Sequence, residues 1–147
     1  MARYVTSLRT SRSPDDAFAY LADLRNFAEW DPSVSRADLV TGTEPGPDAE
    51  FDVSVEVGPR TLTLRYRTEV HDPPRRVRVK AESRLLTSID TINVTPVGAG
   101  CEITYDAVLH LPSGLSLLDS LLERAFRRTG DKAAAGLRRV FDADARP

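Results

Sequence analysis

Apolar and polar side chains alternate with a period of two through most of the chain. Phe51, Val53, Val55 and Val57 oppose Asp52, Ser54 and Glu56; Leu62, Leu64, Tyr66, Thr68 and Val70 oppose Thr61, Thr63, Arg65, Arg67 and Glu69. The pattern continues with Val77, Val79 and Ala81 against Arg76, Arg78 and Lys80, then through Leu86 to Val94. It closes with Ile103, Tyr105, Ala107, Leu109 and Leu111 against Glu102, Thr104, Asp106 and His110. Such segments are strands with one face in water. The segments are joined by turn chemistry, Gly58-Pro59, Asp72-Pro73-Pro74 and Pro96 through Gly100, which predicts antiparallel neighbours in a meander. Residues 3–12 form a first strand, with Tyr4, Thr6 and Leu8 on one face. Another begins near residue 33, and residues 42–49 read as a loop between the second and third strands.

Two stretches depart from this period. Ser13 is placed to cap a helix with Pro14 at its first position, where the missing N–H costs nothing, and Asp16 completes a capping box. Ala17, Phe18, Leu21 and Leu24 then recur at helical spacing. Asp23 can cap a second short helix through Leu24, Phe27 and Trp30, which Pro32 ends. After Leu111-Pro112-Ser113-Gly114 the helical period returns. Leu118, Leu121, Leu122, Ala125, Phe126, Ala133, Leu137, Val140 and Phe141 make the apolar stripe of a long C-terminal helix, interrupted near Thr129-Gly130-Asp131. Gly130 and Gly136 each cost about 1 kcal/mol against alanine in a helix interior, so a kink or a close approach by another group is expected there.

Composition narrows the function classes. A length of 147 residues suits one domain spanning residues 1–147. No targeting segment precedes the first strand and no uncharged apolar run approaches a membrane span, so a cytoplasmic protein is expected. A formal charge of −2 argues against DNA or RNA as the main partner. Cys101 is the single cysteine, which excludes an internal disulfide and a cysteine-rich metal site; it reads as a half-buried strand residue. His71 and His110 are far apart, and each falls on the polar phase of its strand. No metal site and no cofactor are expected.

Taken together, the order strand, two short helices, six antiparallel strands, long helix resembles the START-like or Bet v 1-like domains. Within them it resembles the bacterial polyketide cyclase/dehydrase group of the SRPBCC proteins. The most specific piece is SPDDAFAYLADLRNFAEWDPSV, supported by ITYDAVLHL after a glycine-rich hairpin and by the closing GDKAAAGLRRVF. The resemblance implies an α+β helix-grip fold. In that fold a curved, antiparallel, seven-stranded sheet wraps a long C-terminal helix, often around a deep cavity whose end Phe18, Phe27 and Trp30 plug and shape. The motif is structural and transfers no catalytic residue by itself.

With the apolar strand faces inward, Tyr4, Phe51, Val53, Val55, Leu64, Tyr66, Val79, Tyr105 and Ala107 wall that cavity. Trp30 stands at its end, and Phe126, Ala133 and Leu137 face it from the helix. A mostly apolar lining with few polar groups suits a small hydrophobic, lipid-like or polyketide-like ligand. Asp90 shares a phase with Leu86, Ser88, Ile92 and Val94. If those face inward so does Asp90, desolvated and tuned towards a general base; with Ile89 and Thr91 inward it lies in solvent. The cyclase members of the family assist aldol condensation and dehydration, for which Asp90, Tyr66 and Tyr105 can supply an acceptor and phenol donors. Such sites often also hold an inward Arg. Here Arg65, Arg67, Arg76 and Arg78 fall on the polar phase, and Arg84 sits at a strand end of open facing. A third reading makes Arg65, Arg67, Arg76, Arg78 and Lys80 a basic stripe on the outer sheet face, a docking surface for a protein partner or RNA. Glu56, Glu69 and Glu82 interleave with it and favour a salt-bridged, solvated face.

Overall fold

The computed structural model describes residues 1–111 and 119–145, with side chains for 1–111 and 120–141. Leu118 and the Pro112-Ser113-Gly114 turn, both named from sequence, lie outside the described residues. Seven strands form one antiparallel sheet: β1 (Ala2–Thr10), β2 (Val34–Thr41), β3 (Glu50–Val57), β4 (Arg60–Asp72), β5 (Arg76–Glu82), β6 (Thr87–Val97) and β7 (Gly100–His110). Their spatial order is β1-β7-β6-β5-β4-β3-β2. The meander expected from the short turns therefore runs from β2 to β7, and β1 closes on the far side of β7, Tyr4 facing Ala107 and Leu8 facing Ile103. Register shifts in β2 and β4 bend the sheet, since an extra residue on one strand raises local twist.

Between β1 and β2 stand α1 (Pro14–Ala22), a 3-10 turn (Leu24–Asn26) and α2 (Phe27–Trp30). The start of α1 is the predicted one, with Pro14 in the first turn and the Ser13 side chain accepting from the Asp16 N–H at 3.2 Å. Asp23 caps the 3-10 turn by accepting from Arg25 N–H at 3.1 Å. Ala17, Phe18, Leu21, Leu24, Phe27 and Trp30 are all buried, so the three pieces present one continuous apolar side to the sheet.

The C-terminal helix α3 (Asp119–Ala145) runs without a break through both glycines. Close approach, not a kink, accounts for them. A Cβ at Gly136 would overlap the Trp30 carbonyl oxygen, and one at Gly130 would overlap the Tyr4 ring. Tyr4 then reaches past Gly130 to donate its hydroxyl to Asp131 at 2.8 Å. Farther along, Thr10 Oγ1 donates to the Phe141 carbonyl at 3.2 Å. The second half of α3, carrying Ala133, Ala134, Leu137 and Phe141, is thus clamped onto β1 and α2.

β4 corrects one phase assignment. Thr68 pairs with Val79, but Val70 pairs with Arg78 and His71 with Val77, so Glu69 is an extra residue. Directly paired residues share a face. Val70 therefore turns to the outer side with Arg78, and His71, expected on the wet face, turns inward to meet Phe18 edge-on with ring centroids 5.3 Å apart. Cys101 is fully buried, and burial pushes its thiol up, away from nucleophilic character.

Candidate functional site

Between the concave sheet face and the first half of α3 lies a cavity of about 300 Å³. Its wall is mostly apolar: Val53, Val55, Leu62, Leu64 and Ala107 from the sheet, Phe27 from α2, Leu122 and Phe126 from α3. One end reaches the exposed β3–β4 turn at Val57 and Gly58. A second, smaller space of about 40 Å³ lies nearer β1, bordered by Tyr4, Trp30, Ala133 and Leu137. Asp31, Tyr105, Ala107, Phe126 and Thr129 border both.

Not every residue expected at the wall is there. Phe51 and Val79 point inward as their phase requires, but they are consumed in the packed core and do not border the cavity. Phe18 likewise packs on His71, and Trp30 borders only the smaller space, edge-on to Tyr105 at 5.4 Å and to Phe27 at 4.8 Å. Trp30 Nε1 is buried without a hydrogen-bond partner.

The polar members converge at the floor. β6 alternates with Ser88, Asp90, Ile92 and Val94 buried, which settles the phase of Asp90 as inward. Tyr105 donates its hydroxyl to Asp90 Oδ2 at 3.0 Å, and the hydroxyls of Tyr66 and Ser88 are hydrogen-bonded at 2.7 Å. Burial pushes the Asp90 carboxyl up to about 7, with the charges of Asp31 and Asp106 adding to the rise and the bond from Tyr105 opposing it. Burial, then the negative charge of Asp90, pushes both phenols well above the ordinary tyrosine value. A carboxylate poised near neutrality beside two protonated phenols can exchange a proton with a bound molecule.

Asp31 is the member that sequence reasoning missed. It follows Trp30 at the end of α2, and its Oδ1 accepts from Ser33 N–H at 2.9 Å and from Ser33 Oγ at 2.7 Å. Burial raises its carboxyl, opposed by these two bonds. The Asp-Pro-Ser string is the visible signal of such a turn. Nothing local told that it would sit over a cavity.

On the outer face the predicted basic stripe is laced with acids. Arg65 bonds Asp52 at 2.8 Å, Arg67 bonds Asp48 at 2.6 Å, Lys80 bonds Glu82 at 2.7 Å, and Arg78 lies 3.7 Å from Glu69, while Arg76 donates to Asn93. Among the described residues no group of three histidine, cysteine or acidic side chains could hold a metal ion, and no helix is long and apolar enough to cross a membrane.

Against known proteins, residues 1–142 match the family model described as polyketide cyclase / dehydrase and lipid transport. A search of curated proteins found no match. Among solved structures, the Thermus thermophilus protein TTHA0849 is similar at a TM-score of 0.77, with 16% identity over 98% of this chain and 99% of that one. A START superfamily protein from Mycobacterium smegmatis reaches 0.72, with 10% identity over 97% and 99%. The di-domain ARO/CYC StfQ of the steffimycin biosynthetic pathway reaches 0.71, with 20% identity over 98% of this chain and 50% of that one. These likenesses establish the helix-grip arrangement of the START and Bet v 1 type.

Proposed function

The chain belongs to the polyketide cyclase / dehydrase and lipid transport family, and on that premise we propose that it binds a small hydrophobic molecule between sheet and α3. The observation that carries this reading is the cavity of about 300 Å³, within the range of ligand sites, with an apolar wall and a few polar groups gathered at one place. Affinity comes from apolar burial, about 25 cal/mol per Å² removed from water, less the cost of immobilising the ligand. Tyr66, Tyr105 and Asp90 orient its polar end. The test is native mass spectrometry of the freshly purified protein, followed by solvent extraction. A retained apolar molecule supports the reading. Failure to take up any apolar probe at saturating concentration rejects it.

A second reading makes the same pocket a polyketide cyclase or dehydratase, favoured by Asp90 lying near neutrality beside Tyr105. Asp90 takes a proton from a methylene between two carbonyls, and a phenol hydrogen-bonds the developing enolate oxygen. The enolate carbon then attacks a second carbonyl of the chain, and the resulting alkoxide recovers a proton before water is lost. Among the described residues no arginine borders the cavity to assist. Asp90→Asn is expected to abolish turnover and leave binding intact; unchanged turnover rejects this reading.

A further inference from the structure

The ionisable groups bordering the cavity are all of one sign or neutral. Asp31 and Asp90 lie inside and Glu56 at the exposed end, with the phenols of Tyr66 and Tyr105; among the described residues no Lys, Arg or His borders it. The arginines on the facing half of α3, Arg124, Arg127 and Arg128, are exposed, and the stretch joining β7 to α3, residues 112–118, contains no ionisable side chain. We infer that the molecule held here carries a cationic nitrogen, a protonated amine on an apolar body, received by Asp90 and Asp31, which both border the cavity. This inference rests on the ligand-binding reading above.

Three features support it. Asp90 is more than nine-tenths buried and gives only Oδ2 to Tyr105; among the described residues nothing donates to Oδ1. Asp31 spends Oδ1 on Ser33, and among the described residues nothing donates to its Oδ2. Two acceptors thus border a largely apolar cavity, where an unmet charge is costly and a bound ammonium offsets it. The second feature is the ring set: Phe27, Tyr66, Tyr105 and Phe126 border the same space, and aromatic faces attract cations. The third is exclusion. A fatty acid or phosphate headgroup would be desolvated against carboxylates with no cation in reach, a repulsion that the low dielectric strengthens.

The probes are octylamine, octanol and octanoate, equal in apolar length and different in head, titrated into the full chain by calorimetry near about pH 8, where the amine remains protonated. The amine is expected to bind at least about tenfold more tightly than the alcohol, with octanoate weakest. Asp90→Asn should cut that preference severalfold; Asp31→Asn provides the same comparison should the first variant not fold. Octanol binding with no amine preference, octanoate binding as well as the amine, or a preference that survives both substitutions overturns the inference and leaves the apolar pocket standing. Failure of all three probes to bind rejects the pocket reading itself, and the inference with it.

Discussion

Tyr105 reaches diagonally across the β6–β7 pair to Asp90: Asp90 is opposite Ala107, two residues along β7, yet the phenol closes to 3.0 Å of the carboxylate. A donated hydrogen bond favours the charged form of its acceptor. Tyr105→Phe should therefore drive the Asp90 carboxyl above its value of about 7, followed by carboxyl carbon shifts in an NMR titration. An unmoved titration would show that Tyr105 does not donate to Asp90.

Burial of Asp90 also sets a pH dependence of stability. The folded chain keeps a proton on Asp90 up to about pH 7, whereas an unfolded carboxyl releases it near about pH 4. The contribution is complete below the unfolded value and is lost as pH rises through the interval, on the order of 4 kcal/mol in all. Asp90→Asn removes the titration. In urea melts, the stability of the variant relative to wild type should rise across that interval, flattening above about pH 7. A difference independent of pH would mean that Asp90 is not desolvated.

Gly136 and Gly130 give a test of opposite signs. Helix propensity alone predicts that alanine stabilises by about 1 kcal/mol at each site. Overlap with the Trp30 carbonyl predicts instead that Gly136→Ala destabilises by about 1–3 kcal/mol, because the Trp30 backbone is held by α2. At Gly130 the obstacle is a side chain. Gly130→Ala should destabilise in the presence of Tyr4 and recover much of that loss in a Tyr4→Ala background, measured as a double-mutant cycle.

Ala107 borders both the large and the small space. Ala107→Leu should fill their junction and weaken retention of any apolar ligand at least about tenfold, with global stability changed by less than about 2 kcal/mol. Equal binding by this variant would place the ligand elsewhere.

The strands and both short helices were legible because each depends on local periodicity: Ser13-Pro14 opens α1 wherever it is placed, and Val53 alternates with the polar Asp52 and Ser54; the grip of sheet on helix followed only from the resemblance to START-like domains. Asp90 was legible only up to a choice between two phases, since Ser88 and Thr91 suit either face; its pairing opposite Val79 and Ala107 decides it. Phe51 and Val79 were assigned to the cavity because phase tells inside from outside but not packed from empty. Asp31 and the two helix glycines depend on what approaches them from elsewhere in the chain. No window of sequence around Gly136 contains Trp30.

The extra residue at Glu69 has an effect beyond its own strand. On one side of it β4 presents Leu64 and Tyr66 to the cavity; on the other, His71 supports Phe18 of α1. One strand thereby serves two compartments through a joint of a single residue. Deleting Glu69 would leave Val70 opposite Arg78 and His71 opposite Val77, restoring a regular ladder in which both keep their faces while the extra local twist between the two compartments is lost.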